Sequence, residues 1–314
     1  MSQNNSTIIY AGLDIHKATL QLQLQNQGHE LPNTAAGHRR LLRLLRAAAP
    51  PVQVLCEASG GYERGVLAAL EKAGVASTLL NARQVRDFAK ARGTRAKTDR
   101  IDAAVLAAYG AALQPAATPP PTAHDRALQE HVRCRQRLLQ LLISLRLQAQ
   151  SLTIASLRRT TRAAIRALEK QLKAVETLLV ELQKAQPELD RKVAQLTRVM
   201  GVGRQTAWSV LAELPELGRL GRRQAASLAG LAPHPRESGS WKGRRSIGGG
   251  RPAVRKGLYM AALAAARKNS QLKAFYQRLR QAGKPPKVAI TAVMRKLLLL
   301  LNSILKNPNF ALAD

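Results

Sequence analysis

Four carboxylates in the first third of the chain have the type and placing that metal-assisted phosphodiester chemistry uses. Asp14 ends an apolar run in GLDIHK. Glu57 ends the run VQVLCE. Asp99 and Asp102 stand three apart in KTDRID. An i, i+3 pair lies on one side of a helix. Carboxylates at the ends of two strands, joined by a pair near the start of a helix, can converge on one edge of a sheet. Left bare and adjacent, such groups repel, and two divalent cations neutralise them. Hard oxygen ligands suit Mg²⁺ or Mn²⁺. Two ions about 3.5–4 Å apart clamp a scissile phosphate with its attacking and leaving oxygens. Taken singly, each carboxylate also reads as a surface ion pair or a helix N-terminal charge. Their joint order along the chain is what points to a site.

The elements that must position them follow from periodicity. Residues 8–14 read as a buried strand. Residues 19–25 alternate Leu20, Leu22 and Leu24 with polar residues, the period of a half-buried strand. His16 and Lys17 fall at the turn of the resulting hairpin, and a third strand is predicted near residues 28–31. Leucines at helical spacing predict a helix over 35–48, stopped by Pro50-Pro51. Residues 52–57 read as a central strand, and Ser59-Gly60-Gly61 opens a helix that runs through Lys72. A strand over 75–80, a helix over 82–91 and a basic loop over 92–97 come next. Thr98 then caps a helix from Asp99 to about Leu113. A hairpin followed by alternating α and β predicts an α/β domain over residues 1–113, a mixed sheet with helices packed on it.

Residues 114–123 form a proline-rich linker (QPAATPPPT), and residues 124–186 contain no proline or glycine. Ile165, Leu168, Leu172, Val175, Leu179 and Leu182 follow a heptad seam. Residues 124–190 therefore read as two long antiparallel helices, broken near 151–161, whose seam closes either within the chain or between two copies. Residues 191–314 read as a mainly α domain, with helices at 191–198, 204–213, 222–228, 251–268, 271–282 and 286–305. A Gly- and Arg-rich loop or hairpin is predicted over 233–251.

Charge selects the partner. The 314 residues hold 50 Lys plus Arg against 19 Asp plus Glu, a net charge of +31. Such an excess calls for a polyanion, and nucleic acid is the natural one. Residues 191–296 alone carry 23 basic side chains and only Glu213, Glu216 and Glu237 as acids. The first 115 residues keep 8 acids against 14 bases, so their carboxylates ask for a reason. Aromatics at 3% argue against a base-stacking RRM sheet. The leucine run 297–301 is far too short for a membrane span, no secretory signal is visible, and no membrane is expected as a partner. Two cysteines, Cys56 and Cys134, make neither a disulfide framework nor a four-cysteine zinc site, so a reducing cytoplasm is the expected compartment.

The segments LDIHK, CEASGGYE and KTDRIDA resemble the RuvC-like, DEDD-type domain of insertion-sequence transposases. The family is the one numbered one hundred and ten, related to the Piv-type DNA invertases. VMGVGRQTA, residues 199–207, resembles its helix-hairpin-helix turn. GLAP, SG, KGRRSIGGG and VRKGLYMAAL resemble the eleven-eleven subgroup's transposase domain. The resemblance implies an RNase H-like fold for the first domain, with Asp14, Glu57, Asp99 and Asp102 as the catalytic, metal-binding tetrad. It implies a serine nucleophile at Ser238, with Ser240 and Ser246 close by. A serine alkoxide attacking a phosphodiester holds the broken strand as a phosphoserine and conserves its bond energy for rejoining. Gly201, Gly203, Arg204, Arg236, Lys242, Arg244, Arg245, Arg251, Arg255 and Lys256 then read as nucleic-acid contacts. The implied partners are donor and target DNA, an element-encoded guide (bridge) RNA that pairs with both, and further copies of the chain in a dimer or tetramer. The implied activity is RNA-guided recombination. Two alternatives stand beside it: a Holliday-junction resolvase with water as nucleophile, and a non-catalytic nucleic-acid-binding protein.

Overall fold

The computed structural model describes residues 8–48, 51–94, 98–234, 237–238, 241–243, 245–307 and 309–310, with only the backbone described at 237–238 and 241–242. The chain divides into two compact units, residues 1–120 and 121–314.

The first unit is a five-stranded sheet with helices on both faces. Its strands and helices run, in chain order, β1 (Ile9–Ile15), β2 (Thr19–Leu24), β3 (Gln27–Pro32), α1 (Ala35–Ala47), β4 (Val52–Glu57), α2 (Glu63–Lys72), β5 (Ala76–Leu80), α3 (Ala82–Ala91) and α4 (Asp99–Leu113). The spatial order is β3-β2-β1-β4-β5. The first three strands meander antiparallel, and β4 and β5 join β1 in parallel. This mixed sheet is compatible with an RNase H-like domain. Period two sorts the side chains. Ala11, Leu13, Ile15, Leu20, Leu22 and Cys56 face a core shared with Leu41 and Leu45 of α1 and Val66 and Leu70 of α2. On the opposite face Leu55 packs with Tyr10, Leu106 and Tyr109 against α3 and α4.

Two glycines set how closely α4 lies on the sheet. A Cβ on Gly12 would overlap the Ala103 carbonyl and stand 2.6 Å from the Ala107 amide. One on Gly110 would stand 2.7 Å from the Tyr10 Cβ. The helix backbone therefore rests directly on β1. With Ala103 at Gly12 and Gly110 at Tyr10, α4 runs against the direction of β1, so its first turn reaches the strand's C-terminal end.

The stretch after α4 is anchored to the sheet at its start. The Pro115 carbonyl accepts from the Gln53 side chain at 2.7 Å, and the Ala116 carbonyl accepts from the Thr78 hydroxyl at 3.1 Å. The Thr118 amide donates to the Ser77 carbonyl at 2.8 Å, and its hydroxyl accepts from the Leu79 amide at 3.2 Å. Residues 115–118 thus run along β5.

The second unit continues with α5 (Ala123–Ser151), α6 (Ala155–Ala185), α7 (Pro187–Thr197), α8 (Arg204–Glu213), α9 (Arg222–Leu228), the two-residue strands β6 (Pro233–His234), β7 (Glu237–Ser238), β8 (Trp241–Lys242) and β9 (Ser246–Ile247), then α10 (Pro252–Lys268), α11 (Ser270–Gln281) and α12 (Pro286–Lys306). The helices α5 and α6 form an antiparallel hairpin, laced by Arg135–Glu176 at 2.8 Å and Arg146–Glu169 at 2.6 Å. The base of the hairpin, through Leu128, Val132 and Leu179, joins a core built by α7 to α10 and α12. Pro187, which reads in sequence as the end of the hairpin, opens α7 at its first position, where its missing N–H costs nothing. By length and composition α12 is apolar enough to cross a membrane. Here it is a core helix, with Ile290, Val293, Leu297, Leu298 and Leu301 buried. It shows that an apolar helix need not contain an unbroken apolar run: Arg295, Lys296 and Asn302 interrupt the leucines.

Candidate active site

The strand register delivers the first two carboxylates. The parallel pairing of β1 with β4 sets Leu13 opposite Cys56, so Asp14 and Glu57 come next at the C-terminal ends of neighbouring strands. Both fall on the face that α4 covers, since they alternate with Leu13, Ile15 and Cys56 of the other core. Thr98 caps α4, its hydroxyl accepting from the Ile101 amide at 3.3 Å, and places Asp99 and Asp102 in the first turn. Negative charge there complements the helix dipole.

The geometry brings Asp14 and Asp99 together around a third residue, His16. The His16 Nε2 lies 3.1 Å from an Asp14 carboxylate oxygen and 3.2 Å from one of Asp99. Ligand atoms of these three residues all lie within 4.8 Å of one another, close enough to hold one metal ion. Glu57 lines an open cleft of about 270 Å³ together with Asp14, His16, Lys17, Ser59 and Tyr62. Asp102, three residues on from Asp99 in the same first turn of α4, stands outside the close trio. The donor set of carboxylates and one imidazole fits a divalent cation. His16 is the residue that sequence reasoning leaves at a hairpin turn. Its signal is the spacing of two from Asp14, which keeps both on one side of an extended chain.

Neighbouring groups fix the loops that follow the two strands. The Asn33 amide donates to the His16 carbonyl at 2.8 Å and to the Tyr62 carbonyl at 3.3 Å, and its oxygen lies 2.8 Å from the His38 Nε2. Burial lowers the His38 pKa and so favours the neutral ring. Glu63 accepts from the Ser59 amide at 3.1 Å, the Ser59 hydroxyl at 2.7 Å and the Gly61 amide at 2.8 Å. Burial would raise its carboxyl, but these hydrogen bonds prevail and hold it below the usual carboxylate range. Glu63 is therefore committed to shaping the turn, where Gly60 and Gly61 adopt φ of 74° and 117°. Cys56, beside Glu57, is no nucleophile. Burial, helped by the charges of Glu63 and Glu57, pushes its thiol up to about 12.

The serine region lies in the second unit. Its outer pair sets Pro233 against Ile247 and His234 against Ser246, and its inner pair sets Glu237 against Lys242 and Ser238 against Trp241. Ser238 is thus the last paired residue of a β-arm. Gly239 and Ser240, which connect it to Trp241, lie outside the described residues, as do Arg236 and Arg244. The foot of the arm is fastened. The Arg251 amide donates to the Leu228 carbonyl at 2.7 Å, and the Arg255 guanidinium donates to the carbonyls of Ala229 and Gly249. The Arg251 guanidinium makes a bidentate pair with Glu216, both bonds 2.7 Å, and reaches the Glu213 carbonyl at 3.0 Å. Burial would raise Glu216, yet the Arg251 bonds and charge bring it below the usual range. Arg251 and Arg255 thus hold the arm's base in this structure. Lys256 and Arg245 are exposed. Gly201 adopts φ of 100° in the α7–α8 turn, where a Cβ would stand 2.6 Å from the Ala265 amide of α10. Gly203 precedes α8 in open space, and the Arg204 guanidinium lies 6.0 Å from the Trp208 ring centre.

With this geometry in place, comparison with known proteins is direct. Residues 11–153, β1 to the end of α5, match a DEDD-type family model described as a transposase. Residues 193–277 match the model of the transposase IS116/IS110/IS902 family. The first match contains all four carboxylates and the second contains the serine arm. Pilin gene-inverting proteins of Moraxella bovis and Moraxella lacunata are each 29% identical to the chain over 233 residues, 73% of this chain and 72% of theirs. The chain thus carries two IS110-family transposase domains and falls among the transposases and DNA invertases, which cleave and rejoin DNA strands.

Proposed function

We propose that this transposase is an RNA-guided recombinase that exchanges strands between donor and target DNA with an acidic metal site and a serine nucleophile. The observation that carries the reading is the approach of Asp14, His16 and Asp99 at the C-terminal end of β1, with Glu57 of β4 in the same cleft. Asp14, Glu57, Asp99 and Asp102 would hold the divalent cation, Mg²⁺ or Mn²⁺. When bound, it supplies charge for the phosphate oxygens and a lowered pKa for a coordinated hydroxyl. The Ser238 Oγ attacks phosphorus, a phosphoserine ester forms, and the DNA oxygen leaves. Return of a DNA hydroxyl to the same phosphorus releases the serine and seals the new junction.

The rest of the second unit supports nucleic-acid holding. Of the three acids between 191 and 296, Glu213 faces Arg133 at 3.4 Å and Glu216 is taken by Arg251. Most of the 23 basic side chains between 191 and 296 are therefore in excess, available for phosphates. Gly201, Gly203 and Arg204 at the α7–α8 turn, and Lys242, Arg245 and Lys256 near the arm, are the proposed contacts, with Arg236 and Arg244 beside them in sequence. Base pairing by the guide RNA reads sequence, while the protein reads backbone and shape. Such a protein works in the bacterial cytoplasm, at the nucleoid. The test is strand exchange between two duplexes in Mg²⁺, using protein purified with and without its native RNA. Exchange that needs the RNA supports the reading; equal exchange after complete removal of RNA refutes RNA guidance.

Self-association is part of the proposal, because strand exchange joins four ends. The hairpin leaves Ile143, Leu147, Ile154 and Leu157 exposed, at 48–61% of their surface. We expect the wild type to sediment as a dimer or tetramer, and Ile143→Lys with Leu147→Lys to sediment as a monomer without recombination. A monomeric wild type, free and with nucleic acid, would refute this. Leu179 is unsuited to the test despite its place in the seam. It is fully buried in the core of the second unit, and a lysine there would unfold the unit.

A further inference from the structure

The second unit carries a concavity that neither the acidic site nor the serine chemistry accounts for. It is an open cleft of about 420 Å³ between α10 and α12, at the foot of the β-arm, walled by Ile247, Tyr259, Met260 and Met294 and rimmed by Arg255 and Lys256. Residues 255, 256, 259 and 260 recur at the helical interval of four, so the cationic rim and the apolar wall share one face of α10. Tyr259 is 41% exposed and Met260 66%.

Three observations say what fits there. First, aromatic side chains are scarce, with Phe, Trp and Tyr making up 3% of the chain. Among the described residues, the exposed aromatic side chains are Tyr62, in the acidic cleft, and Tyr259. Second, among the described residues no carboxylate lines the cleft and Lys256 has no ion pair. Its charge therefore favours an anionic occupant in the most basic part of the chain. Third, Ile247 ties the cleft to the arm, because its partner across the ladder is Pro233, five residues before Ser238. An exposed tyrosine face beside a thioether and a lysine with no ion pair among the described residues is how single-stranded nucleic acid is gripped, with a base on the ring and a phosphate on the cation.

We propose that this cleft receives one unpaired nucleobase of the bound nucleic acid, stacked on Tyr259 against Met260, with Lys256 on the adjoining phosphate. The inference rests on the chain binding nucleic acid and not on the chemistry of the acidic cleft. Stacking holds a base without reading its identity, so the cleft distinguishes unpaired from paired strands rather than one sequence from another.

The experiment uses the full-length protein and oligonucleotides carrying 5-iododeoxyuridine, either single-stranded or fully paired. Irradiation of the single strand should crosslink the tryptic peptide of residues 257–267, and the fully paired oligonucleotide should not. Tyr259→Ala should weaken single-strand binding by about 5- to 150-fold, with much less effect on duplex. Tyr259→Phe, which keeps the ring, should bind like wild type. Crosslinking confined to other peptides, or equal losses on single strand and duplex, overturns the proposal. So does Tyr259→Ala that binds normally but sediments as a smaller species, which would make the cleft a contact between copies. If Tyr259→Ala fails to fold, the wild-type crosslink map and Met260→Ser decide. Asp14→Asn, which tests the acidic site, should leave the crosslink in place, so the two readings fail separately.

Discussion

Asp14→Asn should slow Mg²⁺-dependent strand cleavage at least about a thousandfold while leaving nucleic-acid affinity unchanged or slightly raised. The substitution keeps size and hydrogen bonding. The Asp14 carboxylate accepts from the Ile15 amide at 3.0 Å, and an asparagine oxygen can do the same. What is lost is the charge that would hold a cation next to Asp99 and Glu57. A catalytic ion contributes several kcal/mol to the transition state, and about 1.4 kcal/mol is tenfold in rate. Asp102→Asn is the companion variant, because Asp102 stands outside the close trio and its role rests on its place in the first turn of α4. Single-turnover cleavage of a labelled duplex measures both. Wild-type rates for the pair would sink the acidic site, and a loss confined to Asp14→Asn would reduce it to Asp14, Glu57 and Asp99.

Ser238→Ala should abolish any covalent protein–DNA adduct and reduce recombination by at least about 10⁴-fold, since removing a nucleophile from its catalytic unit costs nearly everything the unit supplies. RNA and DNA binding should survive. Ser238→Cys should keep at most a trace, a thiolate being a softer nucleophile toward phosphorus. Ser240→Ala and Ser246→Ala are the controls. Ser246 pairs with His234 through the backbone at the foot of the arm, so its hydroxyl is dispensable for the ladder. The readout is an adduct that survives denaturation, with its tryptic peptide sequenced. An adduct on Ser240 would move the role by two residues. Full recombination by Ser238→Ala, with no adduct in the wild type, would favour water at the acidic cleft, the chemistry of a resolvase.

Much of this was readable from residue order because local rules agree with the tertiary structure. The Leu20, Leu22, Leu24 alternation is β2, and Thr98 caps α4 over the predicted Asp99–Leu113. Leucine spacing gives α1, and the glycine-free, proline-free stretch becomes α5 and α6. What sequence order does not carry is which side chains meet across long separations. His16 and Asp99 are 83 positions apart, and only the close seating of Gly12 under α4 brings them within 3.2 Å. Arg251 reads in sequence as a phosphate contact, and nothing there announces its bidentate pair with Glu216, 35 residues earlier. Leu179 looks like one more seam leucine until the core of the second unit closes over it. Each difference arises where a residue's partner belongs to another element.

Residues 115–118 have a consequence for how copies of this protein can meet. An outer strand normally offers a row of unpaired amides and carbonyls, a template for adding a strand from another molecule. On the β5 side that row is taken: Ser77 and Leu79 are bonded to Thr118 of the same chain. Pro119, Pro120 and Pro121 follow, and with no N–H to give they cannot extend the pairing outward. At the other margin, β3 is largely polar, carries Glu30 and ends in Pro32. Both margins of the sheet thus resist runaway edge-to-edge stacking, which matters for a basic protein concentrated along a polyanion. If copies gather on one nucleic acid as proposed, this sheet gives them no template for an endless ladder.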